Sequence, residues 1–413
     1  MSAQPSILLR NASVFDGHNE QLHEGKSVGI KNGRIEHFSS EPWQETPDQE
    51  IDLRGKTLMP GLIDAHFHAY AGVDSFPLVE ELPLTYLAHS ARNVLQAALS
   101  RGFTSVRDAA GADHGLWYAI ESRQFIGPRL FFGGKALSQT GGHGDVRPSH
   151  AEACHCASMG GSLVQVVDGV DDVTVAAREI MRSGAHQIKI MASGGLASPS
   201  DPVWMSQYTE AEIKAIVAEA QRWRGYVMAH AYGADTIARA IRCGVRSIEH
   251  GNLIDEASAR MVADAAAYVV PTLITYDPFV GTNEAELGAS AAEDMGGLAE
   301  FKRAGLEAIE TCRKVGVKLG FGTDLFGSMH RFQSQEFRMR AEVDTPFQIL
   351  HSATAINAEI VQKPRELGCV AEGAIADLLV LDENPLENLA VLYREQPGIR
   401  MVMKEGELVH DYL

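Results

Sequence analysis

The stretch Met59-Pro-Gly-Leu-Ile-Asp64-Ala-His66-Phe-His68 decides how this chain is read. Pro60-Gly61 is a turn signal and Leu62-Ile63 a short apolar run, so the segment reads as a loop entering a buried strand. Side chains alternate along a strand, so His66 and His68 project from one face at its C-terminal end. A single such histidine is ordinarily a core residue with a hydrogen-bond partner. Two in register need special partners, because burying both rings without them is costly. A metal site satisfies both rings and demands further ligands downstream.

Downstream, strand-like runs alternate with helix-like runs, the texture of βα units and a parallel sheet. Eight stretches read as strands: 61–68, 103–108, 129–133, 187–192, 226–230, 247–250, 268–272 and 318–324. Between them, residues 84–101 place Leu84, Leu87, Ala88, Ala91, Val94, Leu95 and Ala98 on one helical face, with Gly102 as the stop. Thr209 and Glu212 form a capping-box pattern opening a helix over 209–224, and the helical run 237–241 ends before Gly244. Eight such repeats predict an α/β fold, a (β/α)8 TIM-like barrel over residues 59–362, with its chemistry at the C-terminal ends of the strands.

Upstream, residues 1–58 hold short strands, with Lys31-Asn-Gly-Arg34 as a two-residue hairpin. Strand patterns return after residue 362, at 376–381, 399–403 and 407–410, the last two flanking Lys404-Glu-Gly406. Residues 1–58 and 363–413 are therefore predicted to pair into one small β-sandwich domain.

The composition of the 413 residues, 45% apolar and 22% charged, is that of a globular protein with one large and one smaller unit. A net charge of −18 argues against nucleic-acid and anionic-membrane partners. No run of about 18 apolar residues exists, and the first residues lack the basic and apolar stretches of a secretory leader, so a cytoplasmic protein is expected. Five scattered cysteines fit reduced thiols rather than a disulfide framework. Cys154-His155-Cys156 is the one local cluster. Adjacent residues cannot close a tetrahedral site alone, so it reads as structural or incidental, as do His150, His186 and His351.

The other strand ends supply the missing ligands. Lys189 lies inside the apolar run Ile188-Lys-Ile-Met191, and later strands end in Met228-Ala-His230, Ile248-Glu-His250 and Gly322-Thr-Asp324. A buried bare ammonium is costly and cannot ligate a metal. A lysine that has reacted with CO2 is a carbamate, whose two oxygens can bridge two cations. Lys189 is read that way.

The set Asp64-x-His66-x-His68, Lys189, His230, His250 and Asp324 resembles the binuclear branch of the amidohydrolase superfamily, along the whole chain. Gln139-Thr-Gly-Gly-His143-Gly-Asp145, Lys189-Ile-Met-Ala-Ser-Gly-Gly195, His230-Ala-Tyr232-Gly and Ser247-Ile-Glu-His250-Gly are similar to its prolidase-like and arginine-releasing dipeptidases, whose relatives include ochratoxin-cleaving amidases. The resemblance implies two divalent ions, zinc preferred. His66, His68 and Asp324 would hold one, His230 and His250 the other, with N6-carboxylysine at Lys189 and a hydroxide between them. It further implies Asp324 as general base and then acid, and Tyr232 on the substrate's α-carboxylate. His143, in a glycine-rich setting, is read as a donor to the developing oxyanion. Met191, Ser193 and the segment His330-Arg331-Phe332 are candidate pocket walls, with Arg331 able to pair with a carboxylate.

The expected reaction is hydrolysis of an amide bond that frees a C-terminal amino acid from a dipeptide or N-acyl amino acid, proline first and arginine or lysine next. The competing expectation is a cyclic amide or amidine hydrolase or deaminase of the imidazolonepropionase kind. Those relatives use one metal and no strand-four lysine, so Lys189 argues against it. A barrel without metals, serving as a binding protein, is the third. By resemblance a homo-oligomer is expected.

Overall fold

The computed structural model describes residues 4–74, 76–147, 163–196, 201–277, 297–396 and 398–413. Cys154-His155-Cys156 and His150 lie outside them. The strands, in chain order, are β1 (Ile7–Val14), β2 (His23–Lys31), β3 (Arg34–Ser39), β4 (Gln49–Asp52), β5 (Thr57–Pro60), β6 (Leu62–Phe67), β7 (Phe103–Asp108), β8 (Arg129–Phe131), β9 (Ala136–Ser138), β10 (Val164–Val166), β11 (Gln187–Met191), β12 (Tyr226–Gly233), β13 (Ser247–Leu253), β14 (Tyr268–Val270), β15 (Lys318–Leu319), β16 (Leu378–Leu381), β17 (Ile399–Lys404) and β18 (Glu407–Asp411).

The middle of the chain is an alternating α/β fold. β6, β7 and β8 form one parallel sheet, and β10-β9-β11-β12-β13-β14-β15 form another. Two seams join these sheets. At one, His186 N donates to Phe132 O at 2.9 Å, and the Gln187 amide donates to the carbonyls of Asp108 and Phe131 at 3.0 Å each. At the other, Ala65 N donates to Phe321 O and Asp324 N to His66 O, both at 2.8 Å.

The eight expected strands are all present, with shorter ladders in places. The last was expected over 318–324, but its ladder stops at Leu319. Beyond it the Asn357 amide inserts, accepting from Phe321 N at 3.0 Å and donating to the carbonyls of Ile63 and Phe321 at 2.6 and 2.8 Å. A side-chain bond thus takes Phe321 N where a ladder bond was expected. β9 and β10 were not foreseen; each has only three residues.

The helices pack as their periodicity dictates. Leu84–Ser100 buries Leu87, Ala91, Leu95 and Ala98, while Leu84, expected on that face, is exposed at the first position. Glu210–Arg222 carries the expected capping box, with Thr209 N donating to Glu212 Oε2 at 2.8 Å and Glu212 N to Thr209 Oγ1 at 3.3 Å. Among the described residues no helix is long and apolar enough to cross a membrane.

Strands from both ends of the sequence share one further sheet, ordered β18-β17-β16-β5-β1-β2-β3, with β4 also on β1. Both hairpins turn through positive-φ pairs, Asn32 and Gly33 at 51° and 75°, Glu405 and Gly406 at 52° and 75°. Such pairs match the strand twist. The main apolar core runs through both parts: Leu379, Leu381 and Val402 pack in one cluster with Leu95, Leu99 and Phe103.

Candidate metal and catalytic centre

The alternation of β6 sends Asp64, His66 and His68 to one side. Asp324, expected on the eighth strand, meets them there. One ligand atom each from His66, His68 and Asp324 lies within 4.8 Å of the others. Asp324 Oδ1 is 2.9 Å from His68 Nε2 and 3.3 Å from His66 Nε2. Burial raises the Asp324 carboxyl, but the adjacent His66 and His68 outweigh it and hold it well below the usual range.

His66 Nδ1 is engaged by Glu249 Oε2 at 2.7 Å. Glu249 is itself fixed by Arg107, whose Nη2 donates at 2.9 and 3.0 Å, and by Ser247 Oγ at 2.6 Å. Both are fully buried. Desolvation acts against the Glu249 carboxylate, yet Arg107 and His66 pull its pKa down to about 2. An anionic Glu249 only accepts, so His66 donates its Nδ1–H to it, which makes Nε2 the nitrogen left for a metal. Nε2 faces Asp324 Oδ1, and against the effect of burial that charge raises the pKa of the ring; a cation that displaces the Nε2 proton would be met by the ring's lone pair and the carboxylate together. The donor set therefore fits a metal, with the carboxylate–histidine support common in metal sites.

His230 and His250 complete the ring of imidazoles, with His66–His250 centroids 4.9 Å apart and His230–His250 4.7 Å. His230 Nε2 lies 3.0 Å from the Gly194 carbonyl. A carbonyl can only accept, so the lone pair is on Nδ1. His250 Nδ1 is held by Thr272 Oγ1 at 2.8 Å and Tyr276 OH at 3.1 Å. Both rings are pushed well below the ordinary histidine pKa, first by burial. His250 and Asp324 take φ of 72° and 53°, a left-handed backbone rare for such residues.

Lys189 is 2% exposed, and its charge acts on His66, His230, His250 and Glu249. Burial lowers its ammonium to about 8, against the pull of Glu249 and Asp324. That shift increases the fraction of neutral amine, the form that reacts with CO2.

The other expected residues divide. His143 stacks on His230 with centroids 4.3 Å apart and planes at 21°. Tyr232 is buried, 4.6 Å from His230 by centroids, and its hydroxyl meets Tyr276 OH at 3.1 Å. Met191 is buried in register with His230. Arg331 lies apart, exposed, with its guanidinium 4.6 Å over the Phe332 ring. His186 packs edge-on against Phe131 and Phe132, and His351 Nδ1 bonds Gly17 O at 2.7 Å, both structural as expected. Sequence reasoning assigned no role to Arg107, Asp108, Thr272, Tyr276, Asp201 or Glu249. Asp108 accepts from Ala69 N at 2.7 Å and Ala112 N at 3.0 Å, fixing the turn after His68.

Comparison with known proteins gives the family. A profile described as the amidohydrolase family matches residues 57–409. Ochratoxinase from Aspergillus niger is 32% identical over 369 residues, 86% of this chain and 76% of that protein. A prolidase crystallised with N-methylphosphonate-L-proline superposes with a TM-score of 0.93 at 48% identity, over 98% of this chain and all of that one. A Xaa-Pro dipeptidase with methionine in its active site gives 0.84 at 27% identity, over 98% of this chain and 100% of that one. The chain thus belongs to the amidohydrolase family.

Proposed function

We propose that this amidohydrolase is a metal-dependent dipeptidase or N-acyl amino acid hydrolase that frees a C-terminal amino acid, with proline the preferred leaving residue and arginine or lysine next. The likeness to the prolidase crystallised with a proline phosphonate, 48% identical across 98% of this chain, carries this reading. The scaffold is read as a closed (β/α)8 barrel over residues 59–362, supported by the two inter-sheet seams, with a β-sandwich from residues 1–58 and 363–413.

His66, His68 and Asp324 would hold one divalent ion and His230 and His250 a second, with carboxylated Lys189 contacting both. Such a pair, zinc by preference, polarises a carbonyl and makes water a nucleophile near neutral pH. The chain's own groups do the rest. Asp324 accepts a proton from the attacking water and returns it to the leaving nitrogen, which an amide requires because its anion leaves poorly. His143, stacked beside His230, donates to the oxyanion, and Tyr232 orients the α-carboxylate.

The test is hydrolysis of a panel of Xaa-Pro, Xaa-Arg and Xaa-Lys dipeptides and N-acyl amino acids by the purified protein, with metal content measured alongside. Release of the C-terminal amino acid at near two metals per chain is expected. Turnover of cyclic amides instead, at near one metal, would replace this reading with the deaminase-like one. Lys189→Ala is expected to abolish turnover and lower metal content, and full activity with both metals retained removes the carbamate.

A further inference from the structure

We propose that Asp201 is a positioning residue that clamps His143, and this rests on the hydrolytic reading above. Asp201 is 1% exposed and lies beyond the end of β11. Its Oδ2 contacts His143 Nδ1 at 3.1 Å and accepts from Gly195 N at 3.0 Å and Gln207 Nε2 at 3.5 Å. Gln207 reaches His143 by a second route, accepting from its backbone N–H at 2.9 Å.

The ring is held on its faces as well. His230 stacks at 4.3 Å. A Cβ on Gly195 would fall 2.1 Å from His143 Cε1 and 2.3 Å from its Nδ1, so only glycine lets the backbone come this close. The ring is thus fixed on a face by a candidate ligand and on an edge by a buried carboxylate. A carboxylate only accepts, so His143 Nδ1–H donates to Asp201 and the Nε2 edge takes a defined direction; donating from Nε2 to an oxyanion as well makes the working form the imidazolium, whose charge Asp201 balances. A histidine that must meet a carbonyl oxygen within a few tenths of an ångström needs such a support.

The segment around Asp201 is held by Arg239, which donates to the carbonyls of Ala192 at 3.0 Å, Gln207 at 2.5 Å and Tyr208 at 2.7 Å. Its donors serve backbone rather than substrate. The clamp is therefore built on backbone tied from outside the site.

The experiment is a double-mutant cycle on Asp201 and His143 with an Xaa-Pro dipeptide, following kcat, KM, metal content and melting temperature. Asp201→Ala should lower kcat ~10–100-fold with KM changed by less than about threefold and metal retained. Asp201→Asn should recover most of that loss, because Gly195 N–H and Gln207 Nε2 require the amide oxygen where Oδ2 now sits. Adding His143→Ala to Asp201→Ala should cost no more than His143→Ala alone. Additive losses, or an Asn variant as impaired as Ala, would overturn the clamp. If the wild type hydrolyses no substrate in the panel, the hydrolytic reading fails and the clamp is judged separately. Histidine 15N spectra, with the His143 signal assigned by its loss in His143→Ala, should then show a protonated Nδ1 in the wild type and a changed ring protonation in Asp201→Ala. An unchanged signal rejects the clamp.

Discussion

Glu249 stands one position before a candidate ligand, His250, yet its carboxylate serves another, His66. Its charge is matched by Arg107 from β7. The rule that singles out Lys189, a charged side chain inside an apolar strand, singles out both of these as well. Applied to one lysine, it led to the candidate centre; applied throughout, it would have led to the side chains beneath it as well. Glu249→Gln is expected to lower metal affinity ~10–100-fold, measured by competition with a chelator, and unchanged affinity would remove its supporting role. Asp324→Asn should keep most of the metal and lose ~100-fold or more in kcat. Near-wild-type turnover would move the proton transfer elsewhere. Asp201 and Tyr276 carry no comparable mark in the sequence. Each is an ordinary polar residue near a turn, and its importance arises from contacts made by folding.

The strand ends bring the candidate ligands together, and a short helical turn behind them holds side chains that contact them. Tyr276 sits on the turn Leu273–Tyr276, whose Ile274 N–H donates to Glu336 Oε2 at 2.7 Å. Glu336 belongs to the helix Gln335–Arg340 and is fully buried, and burial pushes its carboxyl up to about 8, against the nearby Arg340. The unfolded chain releases this proton near the ordinary glutamate pKa of about 4.3, while the folded chain keeps it until about 8. Stability from this group is thus complete below about pH 4.3 and lost as pH rises toward 8. Glu336→Gln stays neutral throughout and still offers an oxygen to Ile274. Its melting temperature relative to wild type should rise by ~2 °C or more between pH 5 and 8.5, and a constant difference would exclude this titration. The elements were legible because their periods are strong. The length of β15 was not, because it depends on Asn357 reaching across from a distant helix.

The two parts of the molecule are joined by charge as well as by their shared core. Arg129 on β8 donates to Asp377 and Glu405, both beside the strands of the terminal sheet. Gly102 fits closely there, since a Cβ would lie 2.8 Å from Leu379 Cδ1. Such packing predicts one cooperative unfolding transition by calorimetry. Arg129→Met should lower stability by roughly 3 kcal/mol, because it leaves the buried Asp377 without its partner, while the transition stays single. Two separate transitions would show that the parts fold independently. That both ends of the sequence contribute strands was legible from their alternation. Which strand meets which was not, since pairing over such distances leaves no local trace.

That pairing has a consequence for synthesis. Pro60 stands opposite Leu378, so β5, paired to β1 on one side, lacks its other neighbour until 318 more residues have been made. At ribosomal rates of ~5–20 residues per second, this interval is on the order of 15–60 s. During it, the apolar edge of β5 is open to other chains or to chaperones. Slowing translation should therefore lengthen that exposure and lower the soluble yield, and the last strands to emerge are the ones that complete the first.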